Sequence, residues 1–249
     1  MTTHLYCVLP HDLRAALPPG LSGLAGERVR TLMVDGLVAW VSDVARTLPV
    51  SVDGVRVHDA VVEAALDTGA TPVPARFGQR FDSDDACREA LRSRAASVES
   101  LLADVRGSVE MTLIITPSTR RMIRDLEPVL PEMVDEESEG PGRRYLDSLR
   151  KREAATGVVN AAIDELAQLL TRAAGSLVRR ATVLERVAPL PLRTISHLIA
   201  REAVAEYKAA VGSIEAGGEL RFLIIGPRAP YSFSALTDSG GRHGMNLAD

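Results

Sequence analysis

Alternation of apolar and polar residues divides the first half of the chain into short elements. Two runs, Arg28 to Val34 and Leu37 to Val44, alternate with the period of a strand and are joined by Asp35-Gly36. Asp-Gly favours a two-residue hairpin turn, in which both central residues need positive φ. The pattern therefore predicts a β-hairpin. The other elements predicted in this half are strands at Thr3 to Leu9 and Ser108 to Thr116 and helices at His58 to Leu66 and Asp82 to Arg106.

The second half is dominated by a long run with helical periodicity. Apolar residues recur every third or fourth position within Arg144 to Ala174, which predicts one long helix. Three shorter elements are predicted after it: strands at Leu177 to Val187 and Leu192 to Ile199, and a helix at Arg201 to Ile214. Helix, strand pair and helix then lead to a last strand.

That last strand, Leu220 to Ile225, is largely apolar on both faces, which predicts a central strand covered on both sides. Gly226-Pro227 ends it, because proline has no N–H to donate to a strand ladder. Tyr231 and Phe233 follow directly. We expect this tail to be ordered and these two aromatic rings to dock it onto the C-terminal domain.

A run of acidic residues separates the two halves. Five carboxylates lie between Glu132 and Glu139, and Gly-Pro-Gly follows at residues 140–142. Such a charge run is typical of a solvated linker. We predict an N-terminal α+β domain at 1–119, an acidic linker at 120–142 and a C-terminal α+β domain with the ordered tail at 143–249. Each domain is predicted as a ferredoxin-like type of α/β sandwich, with a mostly antiparallel sheet and helices on one side, and the linker leads into the long helix.

Composition acts mainly by exclusion. Hydrophobic residues make up 46% and charged residues 25%, as in ordinary globular proteins, and the net charge of −4 argues against a nucleic-acid partner. Two cysteines, Cys7 and Cys87, indicate a reduced, cytoplasmic protein, with Cys87 on a buried helix face. No apolar run reaches about 18 residues, so we expect no membrane span. The start of the chain lacks a signal-peptide pattern.

Residue types that carry enzymatic chemistry are scattered along the chain. Phosphate-binding loops, dinucleotide fingerprints and nucleophile elbows are missing, and the five histidines lack metal-ligand spacing. We therefore expect no catalytic residue, no metal and no cofactor. A hydrolase stays open as an alternative if His197 joins a serine and a carboxylate in a pocket.

Four segments resemble, in the same order, signatures of the gas vesicle accessory family GvpF/GvpL. They are Pro74-Ala75-Arg76-Phe77-Gly78, Val109-Glu110-Met111, the helix start that holds Gly142, Tyr145 and Leu146, and the tail Gly226 to Phe233. The tail is similar to the family's Gly-Pro-Trp-Pro-Pro-Tyr-Ser-Phe, with Arg228 in place of the tryptophan and Ala229 in place of a proline.

The resemblance implies a non-enzymatic, two-domain accessory protein of gas vesicles. Such a protein would bind the hydrophobic shell subunit during vesicle formation, and other accessory proteins, in the cytoplasm and on the vesicle, without nucleic-acid or membrane partners. A helper of this kind is physically sensible, because exposed apolar patches and strand edges aggregate unless they are covered. A different class also stays open: a regulatory protein with paired ferredoxin-like domains that binds a small molecule between them.

Two short segments hold the candidate partner-binding residues. We predict that they are Arg76, Phe77 and Arg80 in the first segment and Arg228, Tyr231 and Phe233 in the tail. The first three would line a groove for the partner. An ion pair between Arg76 and Glu110 inside the first domain is the structural alternative for that arginine.

Overall fold

The computed structural model describes residues 1–11, 17–46, 49–118, 141–186 and 192–233, with backbone alone for 141–156 and 185–186. Contacts divide the chain into two compact units. The first holds Met1–Ser108 together with the chain from Arg228 onward, and the second holds Val109–Pro227. Both contain a sheet and helices, which confirms the predicted α+β class.

The sheet of the first unit is built around the N-terminal strand. Its strands are β1 (Thr2–Pro10), β2 (Arg30–Val34), β3 (Leu37–Val44), β4 (Val73–Pro74) and β5 (Arg80–Phe81). The order is β2-β3-β1-β4, and β5 also pairs with β1. β1 therefore has partners along both edges, and eight of its nine residues are buried.

The predicted hairpin is confirmed. β2 and β3 pair antiparallel, with Val34 opposite Leu37 at the turn. Asp35 and Gly36 both have positive φ, at 40° and 85°. Local turn chemistry was sufficient to predict this element.

Three helices belong to the first unit: α1 (Val52–Asp67), α2 (Asp84–Arg92) and α3 (Ala95–Val105). α1 begins six residues before the prediction, at a Ser51 cap whose hydroxyl accepts from the Gly54 N–H. The single helix predicted over Asp82 to Arg106 is wrong: it is two helices. α2 ends where the Ser93 hydroxyl donates to the Ala90 carbonyl at 2.9 Å, which closes its last turn.

The core of this unit lies between α1 and the sheet. Its buried members are Tyr6, Cys7, Leu9, Leu24, Val29, Trp40, Val44, Val61, Val62, Ala65, Ala70 and Ala229. Trp40 is fully buried, as predicted. Cys87 is also buried, and burial raises the pKa of its thiol to about 12, in line with the predicted inert side chain.

The second unit holds β6 (Ser108–Pro117), α4 (Pro141–Ala174), β7 (Val178–Arg186), β8 (Leu192–Ala200), α5 (Val204–Gly212) and β9 (Leu220–Arg228). Its sheet has the order β7-β8-β6-β9. The predicted strand pair is confirmed, because β7 and β8 are antiparallel neighbours. The long helix is confirmed as well, with Pro141 as its first residue.

The predicted place of the last strand is wrong. β9 stands at the end of its sheet order, and none of its residues is buried. Leu223 is 58% exposed. Its apolar residues gave the same pattern as a covered strand, but pairing on one side with β6 leaves it at the margin.

The division into units also differs from the predicted domains. β6 was assigned to an N-terminal domain ending at 119, but it lies between β8 and β9 in the second sheet. The tail from Arg228 was assigned to the C-terminal domain, but it belongs to the first unit. Most of the predicted linker, 119–140, falls outside the described residues, and Pro141 and Gly142 are already helical.

Candidate partner-binding surfaces

Glycine is required where the chain leaves β9. Gly226 has a φ of +124°, a region that side chains other than glycine rarely adopt. A Cβ here would stand 2.6 Å from the Glu110 carbonyl oxygen and 2.9 Å from the Met111 sulfur. The close approach of β9 to β6 therefore fixes the point from which the tail starts.

The tail is held to α1 by charge. The Arg228 guanidinium pairs with Asp59 and lies 3.7 Å from the Glu63 carboxylate. The Ala229 N–H donates to Glu63 Oε1 at 3.1 Å. Burial raises the pKa of Glu63, while the Ala229 N–H acts in the opposite direction. Two carboxylates one helical turn apart thus hold two successive residues of the tail.

Apolar residues complete this attachment. Ala229 and Phe233 are buried, and Tyr231 packs against the core of the first unit. Backbone turns link Tyr231 N–H to the Ala229 carbonyl at 2.8 Å and Phe233 N–H to the Pro230 carbonyl at 3.1 Å. The Tyr231 hydroxyl is buried without a hydrogen-bond partner in the described part of the chain, and burial, with nearby Asp59, raises its pKa.

The tail is therefore ordered through Phe233, as predicted, but its expected target was wrong. Tyr231 and Phe233 dock within the first unit, not on the C-terminal domain. The physical reason is that Asp59, Glu63 and the apolar core of the first unit offer matching charge and apolar surface. No local pattern in the tail records that match.

Phe77 rests on the same helix. Its ring centroid lies 5.8 Å from that of His58, and a Cβ on Gly54 would approach its Cζ to 3.1 Å. Phe77 and the tail residues, predicted for separate domains, thus share α1 as support. Arg76 is exposed and forms no ion pair within the described residues. Arg80 lies on β5, where its guanidinium donates to the Arg46 carbonyl at 3.2 Å.

Two buried histidines lie beneath Phe77. His58 Nε2 donates to the Ala75 carbonyl at 3.1 Å, so its Nδ1 accepts from His4 Nε2 at 2.9 Å. Both rings are neutral in this arrangement. Burial lowers the pKa of His4 to about 3, aided by His58, and burial also lowers the pKa of His58. The pair is a structural support for the Phe77 turn.

Exposed valines at the start of α1 were missed by sequence reasoning. Val52 and Val55 are a helical turn apart, and Val52 is 69% exposed. Val50 is exposed just before the helix. They flank Gly54, on which the Phe77 ring packs. We call Val50, Val52, Val55 and Phe77 the valine patch. Its signal was readable, since valines continue the apolar helix period beyond the predicted start.

The described residues offer little for catalysis. Among them, no group of three or more histidine, cysteine or acidic side chains could hold a metal. His197 is fully buried, with Nδ1 hydrogen-bonded to the Tyr207 hydroxyl at 2.9 Å, and burial lowers its pKa to about 4. That ring is closed to a substrate. No helix in the described ranges is long and apolar enough to cross a membrane.

Fold and surfaces together define a two-unit α+β protein whose candidate sites are side chains at its surface. The chain belongs to the family of gas vesicle synthesis proteins GvpL/GvpF, whose model matches residues 2–235. This confirms the resemblance of the four sequence segments.

Relatives with assigned names agree. The chain is 29% identical to gas vesicle protein F of Haloferax mediterranei over 220 residues, covering 86% of this chain and 85% of that protein. It is 31% identical to gas vesicle protein F1 of Halobacterium salinarum over 167 residues, covering 59% of this chain and 78% of that one.

Two crystal structures share the fold. Gas vesicle protein GvpF from Anabaena sp. PCC7120 matches with a TM-score of 0.74 at 19% identity, over 97% of this chain and 99% of that one. GvpF from Microcystis aeruginosa matches with a TM-score of 0.69 at 18% identity, over 94% and 98%. At this identity the likeness speaks for the fold.

Proposed function

We propose that the chain is a non-enzymatic accessory protein of gas vesicles that binds the hydrophobic shell subunit during vesicle formation, in the cytoplasm and at the vesicle. The observation that carries this proposal is the valine patch, on a chain of the gas vesicle synthesis family. Apolar side chains exposed side by side are a common feature of protein-binding surfaces. A hydrophobic partner would bury them and be shielded in turn.

The tail supports this proposal as a clamp. α1 carries the valines at its first turn and the carboxylates Asp59 and Glu63 further along. Arg228 and Ala229 tie that helix to the tail, and Phe233 buries the tail's end. A helix fixed in this way presents its apolar residues with little ordering cost on binding. Arg76, exposed at the edge of the patch, would contact the partner at its rim.

A pull-down with the shell subunit from the same organism tests the proposal. The full chain should retain the shell subunit, and the double variant Val52→Ser with Val55→Ser should retain about tenfold less, because each valine buried at an interface contributes about 1–2 kcal/mol. Val158→Ser is the matched control, since Val158 is a helical valine that is 62% exposed in the second unit. Absence of binding by the unaltered chain would refute the function. Equal binding by the double variant would refute the patch.

A further inference from the structure

The outer strand of the second sheet is open on both faces. β7 is the first strand in the order β7-β8-β6-β9. Every side chain from Arg179 to Leu184 is exposed, and Val183 and Leu184 are 53% and 68% exposed. Successive side chains of a strand point to opposite faces. Apolar residues are therefore presented to solvent on each face of β7.

Its neighbour β8 is covered on both faces. Ile195 through Ile199 are all buried, although Val183 stands opposite Ile195 and Leu184 opposite Thr194. Residues opposite each other share a face, so the layers that cover β8 end before they reach β7. Every second residue of β7 also turns its N–H and C=O away from β8, toward the outer edge.

We propose that the outer edge of β7 binds an extended apolar segment of another protein by strand addition, with carboxylates of that segment beside the arginines at the start of β7. Backbone groups of the added strand would pair with those of the edge. Its apolar side chains would cover Val183 on one face and Leu184 on the other. This site is separate from the valine patch and does not depend on it.

Charge selects such a segment over a second copy of this chain. The nine residues of β7 contain three arginines and one glutamate, a net charge of +2, in a chain whose net charge is −4. Two copies joined edge to edge would place these positive strands together, and edge charges of this kind oppose self-pairing. An acidic strand is attracted instead.

Strand direction fixes where the carboxylates belong. Antiparallel pairs are the more stable per residue, and β7 is already antiparallel to β8. In an antiparallel addition the carboxyl end of the partner lies beside Arg179 and Arg180. The fitting segment therefore alternates apolar and small polar residues and ends in acidic ones.

A labelled peptide, Val-Thr-Val-Thr-Val-Glu-Glu, tests this site on the full chain by fluorescence anisotropy. Binding should weaken at least about tenfold in the double variant Val183→Lys with Leu184→Lys, because lysine on an edge strand blocks strand addition. The matched control, Val158→Lys with Leu223→Lys, adds the same charge at exposed apolar positions of the same unit. It should bind as the unaltered chain does.

Hydrogen exchange gives a second readout that side-chain contacts alone would not produce. With peptide bound, alternate amides between residues 181 and 184 should exchange more slowly, and a peptide ending in two lysines should protect them less. Equal binding by the edge variant, protection confined to other strands, or a dimer that the edge variant abolishes would each overturn the proposal.

Discussion

β1 of the first unit and β9 of the second have similar apolar sequences and opposite surroundings. β1 is paired along both edges and almost wholly buried, whereas β9 pairs with β6 at the end of its sheet order and has no buried residue. Both strands read as apolar on two faces. The difference shows that burial of a strand depends on its place in the sheet order, which its own residues do not encode.

The chain that follows β9 reverses this contrast within a few residues. Ala229 and Phe233 are buried in the first unit, directly after a strand that is open. An exposed strand thus leads into an anchored tail. Predictions that separate the covered first unit from the open strand β9 can break or sharpen this comparison.

The largest effect is expected on truncation after Ile225. This removes buried Phe233 and Ala229 and leaves Asp59 and Glu63 without Arg228, so the first unit should lose about 3–5 kcal/mol and aggregate. Fluorescence of Trp40, the one tryptophan of the chain and a core residue of this unit, reports its unfolding. Truncation after Phe233 keeps the docked tail and serves as the control. A folded, monomeric product of the shorter truncation would contradict the clamp.

A matched leucine pair tests the strands directly. Leu5→Ala in β1 should cost about 2–5 kcal/mol, because it opens a cavity in a fully buried strand. Leu223→Ala in β9 should change stability by less than about 0.5 kcal/mol, because its side chain is largely in water. Urea unfolding followed by circular dichroism measures both. Similar losses would mean that β9 is covered after all.

Acid should weaken the first unit through its histidine pair. His4 and His58 have lowered pKa values when folded, so below about pH 6.5 the unfolded chain binds more protons and stability falls. Each histidine contributes a slope of up to about 1.4 kcal/mol per pH unit, which for His4 persists toward its folded pKa of about 3.

Urea unfolding by Trp40 fluorescence between pH 7 and pH 4 measures that slope. His4→Gln should flatten it, while the same change at exposed His11 should leave it unaltered. An unchanged slope in His4→Gln would show that the pair does not control the acid response.

The smallest effect is expected for Arg228→Ala. Its ion pairs with Asp59 and Glu63 are partly exposed, and such pairs contribute about 0.2–1 kcal/mol that salt screens. The loss should therefore shrink in 1 M sodium chloride, roughly three Å being the screening length there. A larger, salt-independent loss would assign the clamp to packing of the arginine stem.

Local chemistry explains what could be predicted along the chain. The Asp35-Gly36 turn, the helical period of α4 and the burial of Trp40 follow from residues close in sequence or from side-chain type. The start of α1 was missed although Ser51 is a good cap, because the prediction began at the buried face and passed over Val52 and Val55.

The sequence by itself determined the α+β class, the hairpin, the long helix and the family signatures, since each rests on periodicity, turn chemistry or a short motif. Tertiary structure alone decided that β6 joins the second sheet, that β9 lies at its margin and that the tail docks on α1. Those outcomes depend on contacts between residues far apart in the chain, such as Arg228 with Asp59. A local pattern states that a surface is apolar or charged, and only the fold selects which distant surface meets it.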